Sequence, residues 1–91
     1  MNIELFSKVA LKVDLVDYHL QKGDVAVIIE KHPEVNGVTG VTLEVFNALG
    51  ETIAVPTILE SQIEPLNSDE ILHVRPLNIN RVAESGENYF Q

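Results

Sequence analysis

The sequence predicts a small all-β domain, and three observations support this fold class. Apolar residues recur with a period of two along most of the chain, which is typical of strands. No stretch of about ten or more residues carries the 3.6-residue apolar period of an amphipathic helix. The chain has only 91 residues, so a single hydrophobic core must stabilise it.

The first predicted strand contains four apolar residues that alternate with polar or small ones: Val9, Leu11, Val13 and Leu15. A polar loop over residues 16–24 follows, in which Gly23 can adopt a positive φ before the next strand. Residues 25–29 are apolar on both faces, which predicts a strand at the centre of the sheet.

The second and third strands allow two registers. Asn36-Gly37 is typical of a type I′ turn, which would pair Val35 with Val38. Continuing that register mixes buried and exposed faces, whereas a shift by one residue keeps them separate. We therefore predict a bulge or wider loop between His32 and Gly40. The shifted register pairs Lys31 with Val41, Ile29 with Leu43 and Val27 with Val45.

The fourth strand follows a three-residue loop, 48–50, in which Gly50 favours a positive φ. The expected pairs are Val45 with Ile53 and Leu43 with Val55. Pro56 cannot donate a ladder hydrogen bond and should end this strand or lie at an edge. Residues 60–62 predict one helical turn, and residues 63–66 predict a fifth strand.

Together these elements predict a five-stranded SH3-like barrel over residues 1–66. A flat sheet of the same strands would expose one apolar face, which favours closure. Residues 67–84 alternate again and predict a C-terminal extended arm or extra strand. Residues 85–91 resemble the protease-recognition sequence Glu-Asn-Leu-Tyr-Phe-Gln without its leucine, and we expect them to be an expression-tag remnant.

Four segments of the chain resemble an uncharacterised bacterial family, domain of unknown function 4926. They are Leu20–Glu30, with its Lys-Gly-Asp-Val sequence, then Leu43–Phe46, Gly50–Val55 and Gln62–Leu66. The resemblance extends from about Val9 to Leu66 and implies a small β-barrel with no established activity. The resemblance implies a gene that is often found beside that of another small protein of unknown function, one that resembles a toxin domain, and so suggests an antitoxin-like or immunity-like role.

The Lys-Gly-Asp-Val sequence at residues 22–25 also resembles the start of a KOW motif, a module of ribosomal and transcription proteins. This alternative implies a nucleic-acid or ribonucleoprotein-associated module. Four lysines would supply a basic face: Lys8, Lys12, Lys22 and Lys31. However, the chain has 14 acidic against 6 basic residues and only 5% aromatic residues, so the electrostatic contribution to nucleic-acid binding is unfavourable.

Composition and spacing show no catalytic, metal-binding or cofactor-binding motif. The absence of cysteine excludes disulfides, a thiolate nucleophile and a zinc knuckle. His19, His32 and His73 lack metal-ligand spacing. Asp14, Asp17 and Asp24 flank His19, and turns favour such aspartates for local hydrogen bonds. An acid–base site would instead need a deep pocket lined by Asp14, Asp17 and His19, so we expect no enzyme.

The best-supported function is protein binding. Four acidic residues fall where the barrel meets the arm, and a field of this sign attracts a basic protein: Glu60, Glu64, Asp69 and Glu70. The arm adds apolar side chains that need cover: Leu72, Val74, Leu77 and Ile79. These eight residues are the predicted partner-binding site. They would contact a protein partner, such as the product of a neighbouring gene. For the apolar side chains of the arm we expect packing on the barrel first and pairing with the arm of a second copy next, and the third alternative is addition to a partner's sheet edge.

The apolar runs of the chain are only a few residues long, far short of the ~20 that span a bilayer. The N-terminus lacks the basic start and apolar middle of a signal peptide. We therefore expect a soluble, cytoplasmic domain that does not associate with membranes.

Overall fold

A computed structural model of the protein describes residues 4–77. These residues form six antiparallel strands and two 3₁₀ turns, which confirms the all-β prediction. The strands are β1 (Lys8–Leu11), β2 (Val25–Lys31), β3 (Gly40–Phe46), β4 (Thr52–Ala54), β5 (Thr57–Leu59) and β6 (Ile63–Pro65). The 3₁₀ turns are Val16–Tyr18 and Glu60–Gln62, the second of which is the predicted helical turn.

The strands form one sheet in the order β4-β3-β2-β1-β6, and β5 also pairs with β3. Strand β5 pairs with the beginning of β3 and β4 with its end, so both lie along one edge. Within residues 4–77 no ladder joins β6 to β4 or β5, and the predicted closed barrel is not found. Strands β4, β5 and β6 have only three residues each. Strand β6 pairs with β1, and β4 and β5 pair with β3, so the sheet stays open between them.

The register between β2 and β3 is correct at one end of the prediction and wrong at the other. Lys31 pairs with Val41 as predicted, but a bulge at Ile29 shifts the rest of the ladder by one residue. The bulge places Ile28 opposite Leu43, and both side chains are fully buried. The predicted pairs Ile29–Leu43 and Val27–Val45 are therefore wrong, because burial of Ile28 decides the register.

The predicted irregularity between His32 and Gly40 is confirmed. Val35 forms an isolated bridge with Val38 across Asn36-Gly37, and both turn residues have positive φ, as a type I′ turn requires. His32 N–H then donates to the Gly40 carbonyl at 2.9 Å, in a register one residue away from that of the turn.

The pairing of β4 with β3 differs from the prediction because the ladder contains a second bulge. Phe46 pairs with Thr52, but Val45 pairs with Ala54, so Ile53 is the extra residue. The ladder continues past β4 where Leu43 N–H donates to the carbonyl of buried Pro56 at 2.9 Å. Ile53 and Val55 are consequently exposed, and the predicted pairs Val45–Ile53 and Leu43–Val55 are wrong. Gly50 has the expected positive φ of 86°.

Strand β1 is shorter than predicted and ends at Leu11. The chain then turns because Asp14 Oδ1 accepts a hydrogen bond from Lys22 N–H at 2.8 Å, and Leu15 pairs with Leu20 across the first 3₁₀ turn. Leu20 consequently enters the core from a loop. The core cluster contains Val9, Leu11, Leu20, Ala26, Ile28, Val41, Leu43, Val45 and Ile63.

Thr42 is the one buried polar residue within residues 4–77, and it lies beside this core. Its Oγ1 lies 2.8 Å from His32 Nε2 and 2.8 Å from Thr57 Oγ1, so the hydroxyl is satisfied on both sides. These contacts connect β3 to β5 and to the residue after β2. His32 thus has a structural role at this position.

Candidate partner-binding site

Residues 67–77, the described part of the arm, contain no strand and return toward the start of β2. Arg75 contacts Asp24, which precedes it by 51 residues. Nε donates to Oδ1 at 2.9 Å and Nη2 donates to Oδ2 at 2.5 Å, forming a bidentate ion pair. The two side chains are only 23% and 18% exposed, so this contact anchors the arm to the domain.

The Asp24 carboxylate is held in place by its own loop. Gly23 adopts a φ of 94° immediately before it, a conformation that glycine reaches without strain. Gln21 N–H donates to Asp24 Oδ2 at 2.7 Å, while Asp24 N–H donates back to the Gln21 carbonyl at 3.0 Å. Leu11 N–H donates to the Asp24 carbonyl at 2.9 Å, which connects the loop to β1.

Arg75 makes further contacts around this pair. Nη2 lies 3.4 Å from the carbonyl oxygen of His19, a residue with left-handed φ of 61°, and Nη1 donates to the Pro76 carbonyl at 2.9 Å. The hydrogen bonds from Arg75 to Asp24 raise the pKa of the guanidinium above its ordinary value; the Asp24 charge acts in the same direction and burial opposes both. Arg75 is therefore fully charged in this site.

A groove of about 580 Å³ lies between the arm and the sheet. Its sheet side is largely apolar and includes Ala10, Val25, Val45, Phe46 and Ile53. Glu64 of β6 and Glu70 of the arm add carboxylates, and Asp24 with Arg75 also lines the groove. The arrangement suits an extended segment with apolar and positively charged side chains.

The structure brings five of the predicted partner-binding residues to this groove: Glu64, Glu70, Leu72, Val74 and Leu77. Leu72 and Val74 are 63% and 80% exposed, so they are available for contact. Glu60 begins the second 3₁₀ turn and is half-buried, and Asp69 is exposed, but neither lines the groove. Ile79 lies outside the described residues.

The Asp24–Arg75 contact and the side chain of Ile71, which is 92% exposed, were not among the residues predicted from the sequence. One signal pointed to Arg75: it is the only lysine or arginine in the sequence between residues 32 and 80. An isolated cation beside so many acidic residues indicates a specific partner. Nothing in the local sequence identifies Asp24 as that partner.

The aspartates near His19 lie in turns. Asp14 accepts the hydrogen bond from Lys22 N–H, and Asp24 contacts Gln21 and Arg75. Asp14 and Asp17 line a small open depression of about 230 Å³ that does not include His19. This geometry favours local hydrogen bonding over the acid–base arrangement.

The four lysines of the alternative basic face are distributed over two strands and a loop within residues 4–77. Lys8 and Lys31 lie in β1 and β2, Lys12 and Lys22 in the connecting loop, and all four are exposed. No group of three or more histidine, aspartate or glutamate side chains within this range could hold a metal ion. The same residues include no helix with the length and apolar character to cross a membrane.

No curated protein and no solved structure matches the chain. A family model does match it, over residues 5–65, which cover all six strands and include Asp24 but not Arg75. This match confirms the family resemblance seen in the sequence. The chain belongs to the family described as Domain of unknown function (DUF4926).

Proposed function

We propose that this protein is a non-catalytic interaction module that binds a basic protein partner in the groove between the arm and the sheet. The observation that carries the proposal is the combination of acidic and exposed apolar side chains at this groove. The family resemblance supports a partner encoded beside the chain and an antitoxin-like or immunity-like role.

The acidic charge of this region supports a partner with positive charge. Residues 60–70 contain four acidic side chains and no lysine or arginine, within a chain whose formal net charge is −8. Such a field accelerates encounter with a positively charged protein and opposes binding of nucleic acid.

Exposed apolar area supports a direct contact. Ile71, Leu72 and Val74 are mostly exposed and lie beside Glu70 on the arm. Apolar side chains exposed together, with charged residues around them, are typical of protein-binding surfaces. A basic partner would cover these side chains while its cations approach Glu64 and Glu70.

The order of the elements along the chain resembles that of an SH3-like barrel, although the sheet is open within residues 4–77. A long loop follows β1, and a 3₁₀ turn precedes β6, as in the predicted barrel. Pairing of β6 with β4 or β5 would be needed to close it.

The experiment is co-expression with the product of the neighbouring gene, followed by affinity purification and a growth assay. We expect a complex at low salt that weakens as ionic strength rises. The double variant E64Q/D69N removes two charges at the groove and beside it, and it should weaken capture by roughly fivefold to tenfold.

The control variant E4Q/E34Q makes the same change in net charge at exposed residues elsewhere. Asp24 precedes β2 and Glu34 comes after its other end. Because Glu34 is therefore distant from the groove, this variant should retain most of the binding. The absence of a complex, together with no relief of toxicity, would reject the proposal. Equal weakening by both double variants would show that net charge, rather than this groove, attracts the partner.

A further inference from the structure

We propose that Asp24, with the His19 carbonyl, forms a binding site for an arginine side chain of the partner, and that Arg75 occupies this site in the free protein. This inference rests on the proposed function and identifies the chemistry of its contact. The ligand class is a guanidinium group on an extended segment.

The acceptor site is built without the arm. The carboxylate and backbone of Asp24 are held by Gln21 and Leu11, through contacts that lie within residues 11–24. The family match includes these residues and ends at residue 65, before Arg75. The site thus belongs to the sheet domain, while its occupant comes from the arm.

The geometry selects arginine over lysine. Both carboxylate oxygens accept from different nitrogens of one guanidinium, and Nη2 also approaches the His19 carbonyl. A planar guanidinium makes these contacts simultaneously, whereas a lysine ammonium acts as a single point charge. The preference for arginine is therefore a property that binding can measure.

The occupant can be replaced. The arm residues before Arg75 keep their apolar side chains largely exposed, so Arg75 supplies the close polar contact that holds this segment. Arg75 is tethered to the domain and competes for the site at an effective concentration in the millimolar range. A partner arginine can displace it if additional contacts make the partner bind more tightly than this competition requires. Displacement would also free the arm to cover the partner.

The test uses a fluorescent peptide that copies residues 71–77, Ile-Leu-His-Val-Arg-Pro-Leu, added to full-length protein. In the variant R75Q the site is empty of its own arginine. We expect this variant to bind the peptide about tenfold more tightly than the unmodified protein, as measured by fluorescence anisotropy. A peptide with lysine in place of arginine should bind at least about fivefold more weakly.

The double variant D24N/R75Q should lose this binding, whereas E34Q/R75Q, which removes an exposed carboxylate outside the groove, should retain most of it. Asparagine at position 24 keeps an oxygen for Gln21 N–H, and far-UV circular dichroism checks the fold. If D24N/R75Q fails to fold, the comparison of the arginine and lysine peptides on R75Q decides. Equal binding by R75Q and the unmodified protein, or by the two peptides, would overturn the proposal.

The two proposals fail in different ways. If R75Q does not bind the peptide but the neighbouring gene product still forms a complex, the arginine site is wrong and the proposed function stands. If R75Q binds the peptide but no partner is captured, the site stands and the proposed function fails. A concentration-dependent dimer that R75Q abolishes would identify the arm of a second copy as the occupant and overturn the assignment to a partner.

Discussion

Replacement of Ile28 by alanine tests the physical account of the core most directly. Ile28 is fully buried in β2, opposite Leu43 of β3. On its other side, Ile28 N–H donates to the Ser7 carbonyl, and Phe6 N–H donates to the Ile28 carbonyl. Ladder hydrogen bonds on both sides therefore prevent the strand from collapsing into the space that the shorter side chain leaves.

The expected loss follows from the atoms removed. Isoleucine loses three carbon groups when it becomes alanine, and each contributes about 0.8 kcal/mol on burial. The unfilled cavity adds a further penalty, so we expect the free energy of unfolding to fall by about 3 kcal/mol. That is a large part of the total of about 5–13 kcal/mol for a domain of this size, and it corresponds to a Tm lower by about 10–25 °C.

The assay is urea unfolding followed by far-UV circular dichroism, which suits a chain without tryptophan. The matched control is I71A, the same substitution at a side chain that is 92% exposed, and it should change stability by less than about 0.5 kcal/mol. A loss below about 1 kcal/mol for I28A would refute the burial argument. A large loss for I71A would show that the arm belongs to the core.

Two further predictions concern the polar contact beside the core and the arm. The variant T42V keeps the shape of the side chain but breaks its contacts with His32 and Thr57, so urea unfolding should show a loss of about 1 kcal/mol; unchanged stability would mean that these hydrogen bonds contribute nothing net. Deletion of residues 67–84 should leave the strand signal in circular dichroism intact while it weakens partner capture or self-association. Unfolding of the truncated protein would instead make the arm a structural element and remove the proposed binding surface.

Local features of the fold could be predicted because they depend on neighbouring residues. The alternation of Val9 and Leu11 predicted β1, and Asn36-Gly37 and Gly50 predicted two turns with positive φ. The 3₁₀ turn before β6 was also predicted from its own three residues. Each of these features is set by backbone preference or by the period of the side chains.

The bulges at Ile29 and Ile53 could not be predicted in the same way. An ideal ladder with a period of two would have paired Ile29 with Leu43 and Val45 with Ile53. The structure inserts one residue in each ladder, so that Ile28 rather than Ile29 lies opposite Leu43 and Ala54 rather than Ile53 lies opposite Val45. This choice depends on packing among several strands, which no single hairpin contains.

The candidate site could likewise be predicted only in part from the sequence. The acidic residues and the exposed apolar side chains of the arm were visible in the sequence, because charge and hydropathy belong to individual residues. The contact of Arg75 with Asp24 was not visible, since it joins residues 51 positions apart without any period between them. The sequence by itself determined an all-β, strongly acidic chain of this family. Only the tertiary structure decided where its strands shift and which carboxylate holds the arm, because both depend on groups that meet in space after folding.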